Sequence, residues 1–363
     1  MKKIIYNFSA GPAMLPQEVL IKVKNQFLNW NNIGSSIIEI SHRSSEFLKI
    51  IKNSYKYLKK LLSIPDEYII LFCQGGARGQ FSAVPMNLLN KFYTADYINS
   101  GYWSYHSMVE ASKYCTPYQI NVKSITESKK SILPMSQWNL NKNTDYVHYC
   151  PNETIEGIAI HEEPNFQGKI VVGDFSSSIL SRSIDVKKYG VIYASAQKNI
   201  GPAGITLIIM RRDLLKYKTN ILLPTILNYK TIYKNQSMFN TPNTFSWYVS
   251  GLVFKWMIKN GGISFFEKLN YKKAKLLYQK IDSSNFYIND VHIKNRSYMN
   301  VVFNLVDQKL NDLFLKESIM NGLNFLKGHK FYGGFRASIY NAMPISGVKA
   351  LIQFMTDFEY KYK

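Results

Sequence analysis

The chain has 363 residues, 46% of them hydrophobic and 19% charged, which supports a large folded domain plus a smaller one and excludes a disordered chain. Lys and Arg number 45 against 24 Asp and Glu, a net charge of +21. Pairs such as Lys59-Lys60 and Lys272-Lys273 scatter that charge, so it forms no basic stripe or aromatic-interleaved run, and no nucleic-acid partner is expected.

The opening Met-Lys-Lys-Ile-Ile-Tyr-Asn lacks the apolar core of a signal peptide, and no apolar run reaches membrane length, so a cytoplasmic protein without membrane contact is expected. Three cysteines, Cys73, Cys115 and Cys150, lack Cys-x-x-Cys spacing and give neither a disulfide framework nor a metal site. Asn7-Phe8-Ser9-Ala10-Gly11-Pro12 reads as a loop, and Pro16 suits the first turn of a helix to about residue 30. A short apolar run at 37–40 leads into Ser41-His42-Arg43-Ser44, where two anion-binding side chains adjoin. Phe47, Ile50, Ile51, Tyr55, Leu58, Leu61 and Leu62 recur at helical spacing, predicting a helix over 46–62 that Pro65-Asp66 stops.

A buried strand is expected at 68–73, then Gln74-Gly75-Gly76-Ala77-Arg78-Gly79-Gln80 and a helix to about 89. Such a turn aims backbone N–H groups from the positive end of a helix and suits a phosphate. It lacks the nucleotide fingerprints, and a tight turn without a ligand reads as well. Further strands are expected at 97–98, 146–149, 170–172, 191–194 and 205–210, with a helix reaching 110–115 after the first. This alternation predicts an α/β fold with a mostly parallel sheet, whose ligands lie at the carboxyl ends of the strands. Amphipathic helices follow at 243–259 and 263–281, separated by Gly261-Gly262. Strand-like 300–305, a helix at 307–320, strand-like 335–339 and a final helix from 344 complete the chain. The expected division is an N-terminal segment and large α/β domain over 1–264, with a smaller α+β domain over 265–363.

Trp103, Thr154, Asp174 and Lys198 each follow a strand candidate. Lys198 sits in Val-Ile-Tyr-Ala-Ser-Ala-Gln-Lys-Asn-Ile-Gly-Pro at 191–202, where apolar and small neighbours strip hydration from the ammonium and make the amine nucleophilic. Schiff-base chemistry with an aldehyde cofactor needs such an amine, while a surface lysine after a strand is the plain alternative. Asp174 ends the apolar stretch Val171-Val172-Gly173-Asp174, where a carboxylate needs a cation or donor as partner. A protonated pyridine nitrogen is one such partner, and a helix N-cap is the other reading.

Asn-Phe-Ser-Ala-Gly-Pro-Ala-Met-Leu-Pro at 7–16, Glu-Ile-Ser-His-Arg-Ser at 39–44, Gln-Gly-Gly at 74–76 and His-Tyr-Cys-Pro-Asn-Glu-Thr-Ile-Glu-Gly at 148–157 closely resemble the phosphoserine aminotransferase family. So do Ala-Gln-Lys-Asn-Ile-Gly-Pro-Ala-Gly at 196–204, Met-Phe-Asn-Thr-Pro at 238–242, Gly-Leu-Val-Phe-Lys-Trp at 251–256 and Arg-Ala-Ser-Ile-Tyr-Asn-Ala-Met-Pro at 336–344. The resemblance implies a fold-type I, class V transferase that uses pyridoxal 5'-phosphate and forms a homodimer with cofactors at the subunit boundary. By the same resemblance Lys198 forms the Schiff base with the cofactor and carries the proton at Cα. Asp174 contacts the ring nitrogen, Trp103 stacks on the ring and Thr154 donates toward its phenolic oxygen. Ala77, Arg78 and Gln197 hold the phosphate, joined by Asn240 and Thr241 of the neighbouring subunit.

The reaction implied is glutamate plus 3-phosphohydroxypyruvate giving 2-oxoglutarate plus phosphoserine, in serine biosynthesis. 4-Phosphohydroxythreonine, of pyridoxine biosynthesis, is an expected further substrate. His42, Arg43 and His329, with Arg78 assisting, match the side-chain anion, and Arg336 matches the α-carboxylate. Ala10 departs from the small polar residue frequent there in the family and offers no hydroxyl. A related cysteine desulfurase would need a late nucleophilic cysteine, and none follows Cys150. A basic nucleic-acid-binding protein is the alternative from another class.

Overall fold

The computed structural model describes residues 4–363. Its central sheet has seven strands in the order Tyr68–Cys73, Thr206–Arg211, Val191–Ser195, Val171–Asp174, Val147–Tyr149, Asp96–Asn99 and Tyr118–Asn121. Every strand runs parallel to its neighbours except Thr206–Arg211, which is antiparallel to the two strands flanking it. The carboxyl ends of the parallel strands therefore share one edge, with Cys73, Tyr149, Asp174 and Ser195 along it.

The apolar runs are continuous because both faces of the sheet are covered. On one strand Ile192 and Ala194 enter one buried cluster while Val191 and Tyr193 enter another, across the sheet. Helix Gly76–Leu88 covers the second face with Phe81 and Val84, and helices Ser45–Leu62 and Thr244–Lys259 cover the first with Phe47, Leu58, Trp247 and Phe254. Ser44 caps Ser45–Leu62 by accepting from the Phe47 amide, and Asn243 caps Thr244–Lys259 by accepting from the Ser246 amide.

A smaller antiparallel sheet, Tyr287–Ile288, Asn300–Leu305 and Phe335–Ser338, packs with helices Asn311–Met320 and Ile345–Tyr362 around a separate core. Helix Gly262–Asp282 joins the two regions: Ile263 and Phe266 pack in the larger core, and Ala274, Leu277 and Ile281 in the smaller. The boundary expected at 264/265 falls inside this helix. The strand Tyr6–Asn7 pairs with Leu323–Asn324 and Phe8 enters the smaller core, so the start of the chain packs with its last hundred or so residues.

Two stretches differ from expectation. The helix expected to residue 30 ends at Gln26, with a 3-10 turn at Trp30–Asn32. Residues 118–132 form the edge strand Tyr118–Asn121 and a hairpin of Lys123–Thr126 with Lys129–Ile132, turning through Glu127 and Ser128 at φ 51° and 59°. Neither turn residue is a glycine, and these strands are largely exposed, so their sequence carries no strong apolar alternation.

Candidate active site

The end of strand Val171–Asp174 delivers a buried carboxylate into a cleft of about 270 Å³. Asp174 Oδ1 accepts from the Ser176 amide at 2.9 Å, which orients it. Burial pushes its pKa up, opposed by Ser176, the Lys198 ammonium and the Tyr193 hydroxyl. Tyr193 stands opposite Asp174 on the neighbouring strand, and its hydroxyl lies 2.8 Å from His148 Nε2. His148 is buried, so its pKa falls to about 3 and the ring is neutral. Its Nδ1 meets Ser107 Oγ at 3.3 Å, completing a hydrogen-bonded chain behind Asp174.

Lys198 follows strand Val191–Ser195 in a turn closed by Gly201 N donating to Ala196 O at 2.8 Å. Gly201 lets that turn approach helix Thr244–Lys259: a Cβ there would lie 2.4 Å from Ser250 Oγ. Lys198 Nζ donates to Thr154 Oγ1 at 2.6 Å. Burial lowers its pKa to about 8; Asp174 and Glu153 oppose the shift and Arg336 adds to it. The amine is thereby more nucleophilic near neutrality than a surface lysine.

Gly75 and Gly76, at φ 93° and 65°, turn the chain from Tyr68–Cys73 into helix Gly76–Leu88. Only glycine adopts that pair of left-handed conformations at low cost. Ala77 and Arg78 thus enter the first helical turn beside the Lys198 cleft. The Ala77 amide donates to Ser195 Oγ at 2.6 Å. Arg78 lies 5.3 Å from the Trp103 ring, and the buried Trp103 Nε1 has no hydrogen-bond partner. One cleft therefore brings together Ala77, Arg78, Trp103, Thr154, Asp174, Gln197 and Lys198.

Arg336, on strand Phe335–Ser338, is half-buried, and its buried Nε has no partner. Burial lowers its pKa, against the pull of Tyr340 and Glu156. His329 lies in the turn leading to that strand, with its ring centroid 5.3 Å from that of Tyr102. Burial, Arg336 and Lys330 all lower its pKa. Neither Arg336 nor His329 lines the cleft itself, and the structure does not bring the remaining expected residues into the cleft of their own chain either. His42 is half-buried and Arg43 exposed in the turn before Ser45–Leu62, and neither borders the cleft. Asn240 and Thr241 are exposed beyond Gly75; Asn240 lines a different cleft, and Thr241 O accepts from Gln74 Nε2 at 3.1 Å. The Ala10 carbonyl accepts from the Tyr340 hydroxyl at 3.0 Å, so position 10 is held through its backbone.

The sequence reading passed over His148, Tyr193, Ser176, Ser195, Glu153 and Glu156. Three of them, His148, Glu153 and Glu156, lie in the 148–157 motif with Thr154, but only tertiary packing shows what they touch.

These residues fit pyridoxal 5'-phosphate. A carboxylate at the cleft floor, a lysine of lowered pKa, an unpartnered indole N–H and a helix N-terminus opened by two glycines match a ring nitrogen, an aldehyde, a flat ring and a phosphate. Fold and cleft together define a pyridoxal-phosphate-dependent aminotransferase.

The chain belongs to the Aminotransferase class-V family, whose family model matches residues 5–351. It is 60% identical over 359 residues, 99% of each chain, to the phosphoserine aminotransferase of Buchnera aphidicola subsp. Acyrthosiphon pisum (strain 5A). Among solved structures, it matches the phosphoserine aminotransferase of Bacillus circulans subsp. alkalophilus at TM-score 0.94 and 38% identity over 99% of both chains. The pyridoxal-phosphate-bound phosphoserine aminotransferase of Trichomonas vaginalis matches at TM-score 0.91 and 36% identity, over 97% of this chain and 99% of that one.

Proposed function

We propose that this chain catalyses reversible amino transfer from L-glutamate to 3-phosphohydroxypyruvate, giving 2-oxoglutarate and O-phospho-L-serine. The observation that carries the chemistry is Lys198 Nζ at 2.6 Å from Thr154 Oγ1 in the cleft that also holds Asp174 and Trp103. Full-length likeness to phosphoserine aminotransferases supports the substrate assignment. When bound, the cofactor supplies an aldehyde that takes up amino groups and a ring that draws electrons from the substrate.

The protein's own residues bind, orient and move protons. Asp174, oriented by the Ser176 amide, would face the ring nitrogen and favour its protonated form, since a cation there offsets the cost of burying the carboxylate. Trp103 covers one ring face and offers its unpartnered Nε1–H. Thr154 Oγ1 donates to the ring oxygen. Ala77, Arg78 and Gln197 hold the phosphate at the helix start. Lys198, its pKa lowered to about 8 by burial, would be the amine that holds the cofactor's aldehyde and would hold and move the proton at the substrate Cα. Arg336, whose Nε lacks a partner, binds the α-carboxylate through its planar fork.

His329, with Arg78, faces the side-chain anion. His42 and Arg43 reach that anion, and Asn240 and Thr241 reach the phosphate, only as contributions from a second copy, so the active species is a homodimer. The protein works in the reducing cytoplasm, consistent with free Cys73, Cys115 and Cys150, and no helix of the described residues is long and apolar enough to cross a membrane.

The test is turnover of O-phospho-L-serine with 2-oxoglutarate, read as glutamate formed. Arg336→Ala is expected to raise the KM for phosphoserine by about 30-fold or more, the effect of unpairing a bound carboxylate. An unchanged KM contradicts the α-carboxylate assignment. 4-Phosphohydroxythreonine is expected to turn over in the same assay, because one added hydroxymethylene leaves both anionic ends in place; no turnover removes it as a substrate.

A further inference from the structure

Outside the residues assigned so far, two acidic side chains approach the cleft from behind Trp103. Glu153 is fully buried and Glu156 half-buried, both in the segment that carries Thr154. They meet the first turn of helix Tyr102–Ala111, whose leading N–H groups have no partner within the helix. Glu156 Oε1 accepts from the Tyr102 amide at 2.8 Å. Glu153 Oε2 accepts from the Trp103 amide at 3.0 Å, and its Oε1 from the Ser104 amide at 2.9 Å and from Ser100 Oγ at 3.2 Å. Three consecutive amides thus end on two carboxyl groups, at the helix end where negative charge is most favourable. Gly101 makes room for them: a Cβ there would lie 2.6 Å from Glu153 Cγ and 3.0 Å from Glu156 Cδ.

Placing two acids in one buried site is costly, and burial together with their mutual repulsion raises Glu153 to about 7. A helix cap alone needs one short polar residue, so stability alone does not account for the pair. The two acids also face different surroundings. Glu153 grips Trp103 and Ser104, on the cofactor side. Glu156 grips Tyr102 and faces the Tyr332 hydroxyl. Tyr102 in turn packs on His329 and Phe331, at ring-centroid distances of 5.3 Å and 6.2 Å.

We propose that Glu153 and Glu156 form a two-armed positioning clamp on this helix end, in which Glu153 fixes Trp103 against the cofactor ring and Glu156 fixes Tyr102 against the turn carrying His329. The proposal rests on the cofactor and substrate reading above and deepens it. Neither glutamate touches the reacting atoms. Each acts through the residue whose amide it holds, so the arms have separable effects.

Glu153→Gln cannot accept from both the Trp103 and Ser104 amides, because one carboxyl oxygen becomes an NH2 donor. It is expected to weaken cofactor affinity by about tenfold and to change the visible circular dichroism of the bound cofactor. Glu156→Gln is expected to raise the KM for phosphoserine several-fold and to leave cofactor affinity unchanged. Because Glu153 acts through Trp103, Glu153→Gln in a Trp103→Phe background is expected to weaken cofactor binding less than it does alone. Additive losses, or equal effects of both glutamates on cofactor affinity, overturn the proposal. Should Glu153→Gln not fold, amide exchange of the wild-type apoprotein decides: slow exchange at Tyr102, Trp103 and Ser104 supports the clamp, and exchange as fast as at an open helix end overturns it. Amide exchange needs no cofactor, so a wild-type protein that fails to bind pyridoxal phosphate defeats the functional reading without deciding the clamp.

Discussion

At the scale of single residues, the chemistry comes from removing water around charged groups. Lys198 and Asp174 are both pushed toward their neutral forms by burial and back toward charge by each other. A Lys198 pKa of about 8 predicts that apoprotein captures pyridoxal phosphate at a rate that rises with pH through about 8 and then levels. A rate that keeps rising toward pH 10, as for an ordinary lysine, contradicts the burial argument. Lys198→Ala is expected to lower turnover by about 1000-fold, the range of a lost acid–base group, while leaving the thermal midpoint of the apoprotein nearly unchanged. Asp174 ends a buried strand and Lys198 follows one through a small-residue turn, signals that by themselves leave a helix N-cap and a surface lysine as open readings, so the matched motifs carry both expectations. His148 and Tyr193 were not legible in the sequence, because a histidine and a tyrosine inside apolar strands look like core until the register sets their side chains behind Asp174.

At the scale of elements, regular periodicity carried over well. Strand Tyr68–Cys73 and helices Ser45–Leu62 and Thr244–Lys259 lie within a residue or two of expectation, since each buries an apolar face or run. The exposed hairpin at 123–132 had no such signal. Glu153 was equally hidden: its binding partners are amides about fifty residues away.

The buried acid pair gives a stability test with a definite sign. The folded pKa of Glu153, about 7, lies above the ordinary 4.5, so the folded state binds more protons across that window. Its stabilising contribution is complete below about pH 4.5 and is lost as pH rises through 7. Glutamine does not titrate, so the stability of Glu153→Gln relative to wild type is expected to rise from pH 4.5 to 7 and stay level above it, measured by urea unfolding. A difference that falls over that window contradicts the raised pKa. Gly101→Ala is expected to destabilise the chain by about 1–3 kcal/mol through overpacking against both carboxyl groups, a loss that thermal unfolding of the apoprotein reads directly.

At the scale of the whole molecule, the scattered positive charge has no single structural destination, and function gathers at the edge of the sheet instead. The turn with His42 and Arg43 and the segment with Asn240 and Thr241 stay outside their own cleft. Apolar side chains are exposed along these stretches, among them Ile33, Ile38, Leu48, Leu222, Ile226 and Phe239. The homodimer proposed above would cover such a surface and bring those polar residues into play. Mixing Lys198→Ala subunits with Arg43→Ala subunits tests that exchange. Each is expected to be nearly inactive alone, and the equilibrated mixture to regain about a quarter of wild-type activity, since half the dimers then carry one intact site. No recovery contradicts the placement of Arg43 in the partner's site.

The central claim is that Lys198 is the amine that binds pyridoxal phosphate covalently. Borohydride reduction of the reconstituted protein, followed by peptide mapping, measures this directly. The expected result is loss of the visible absorption with one reduced pyridoxyl group per chain on Lys198. A label spread over surface lysines, or none at all, contradicts the account.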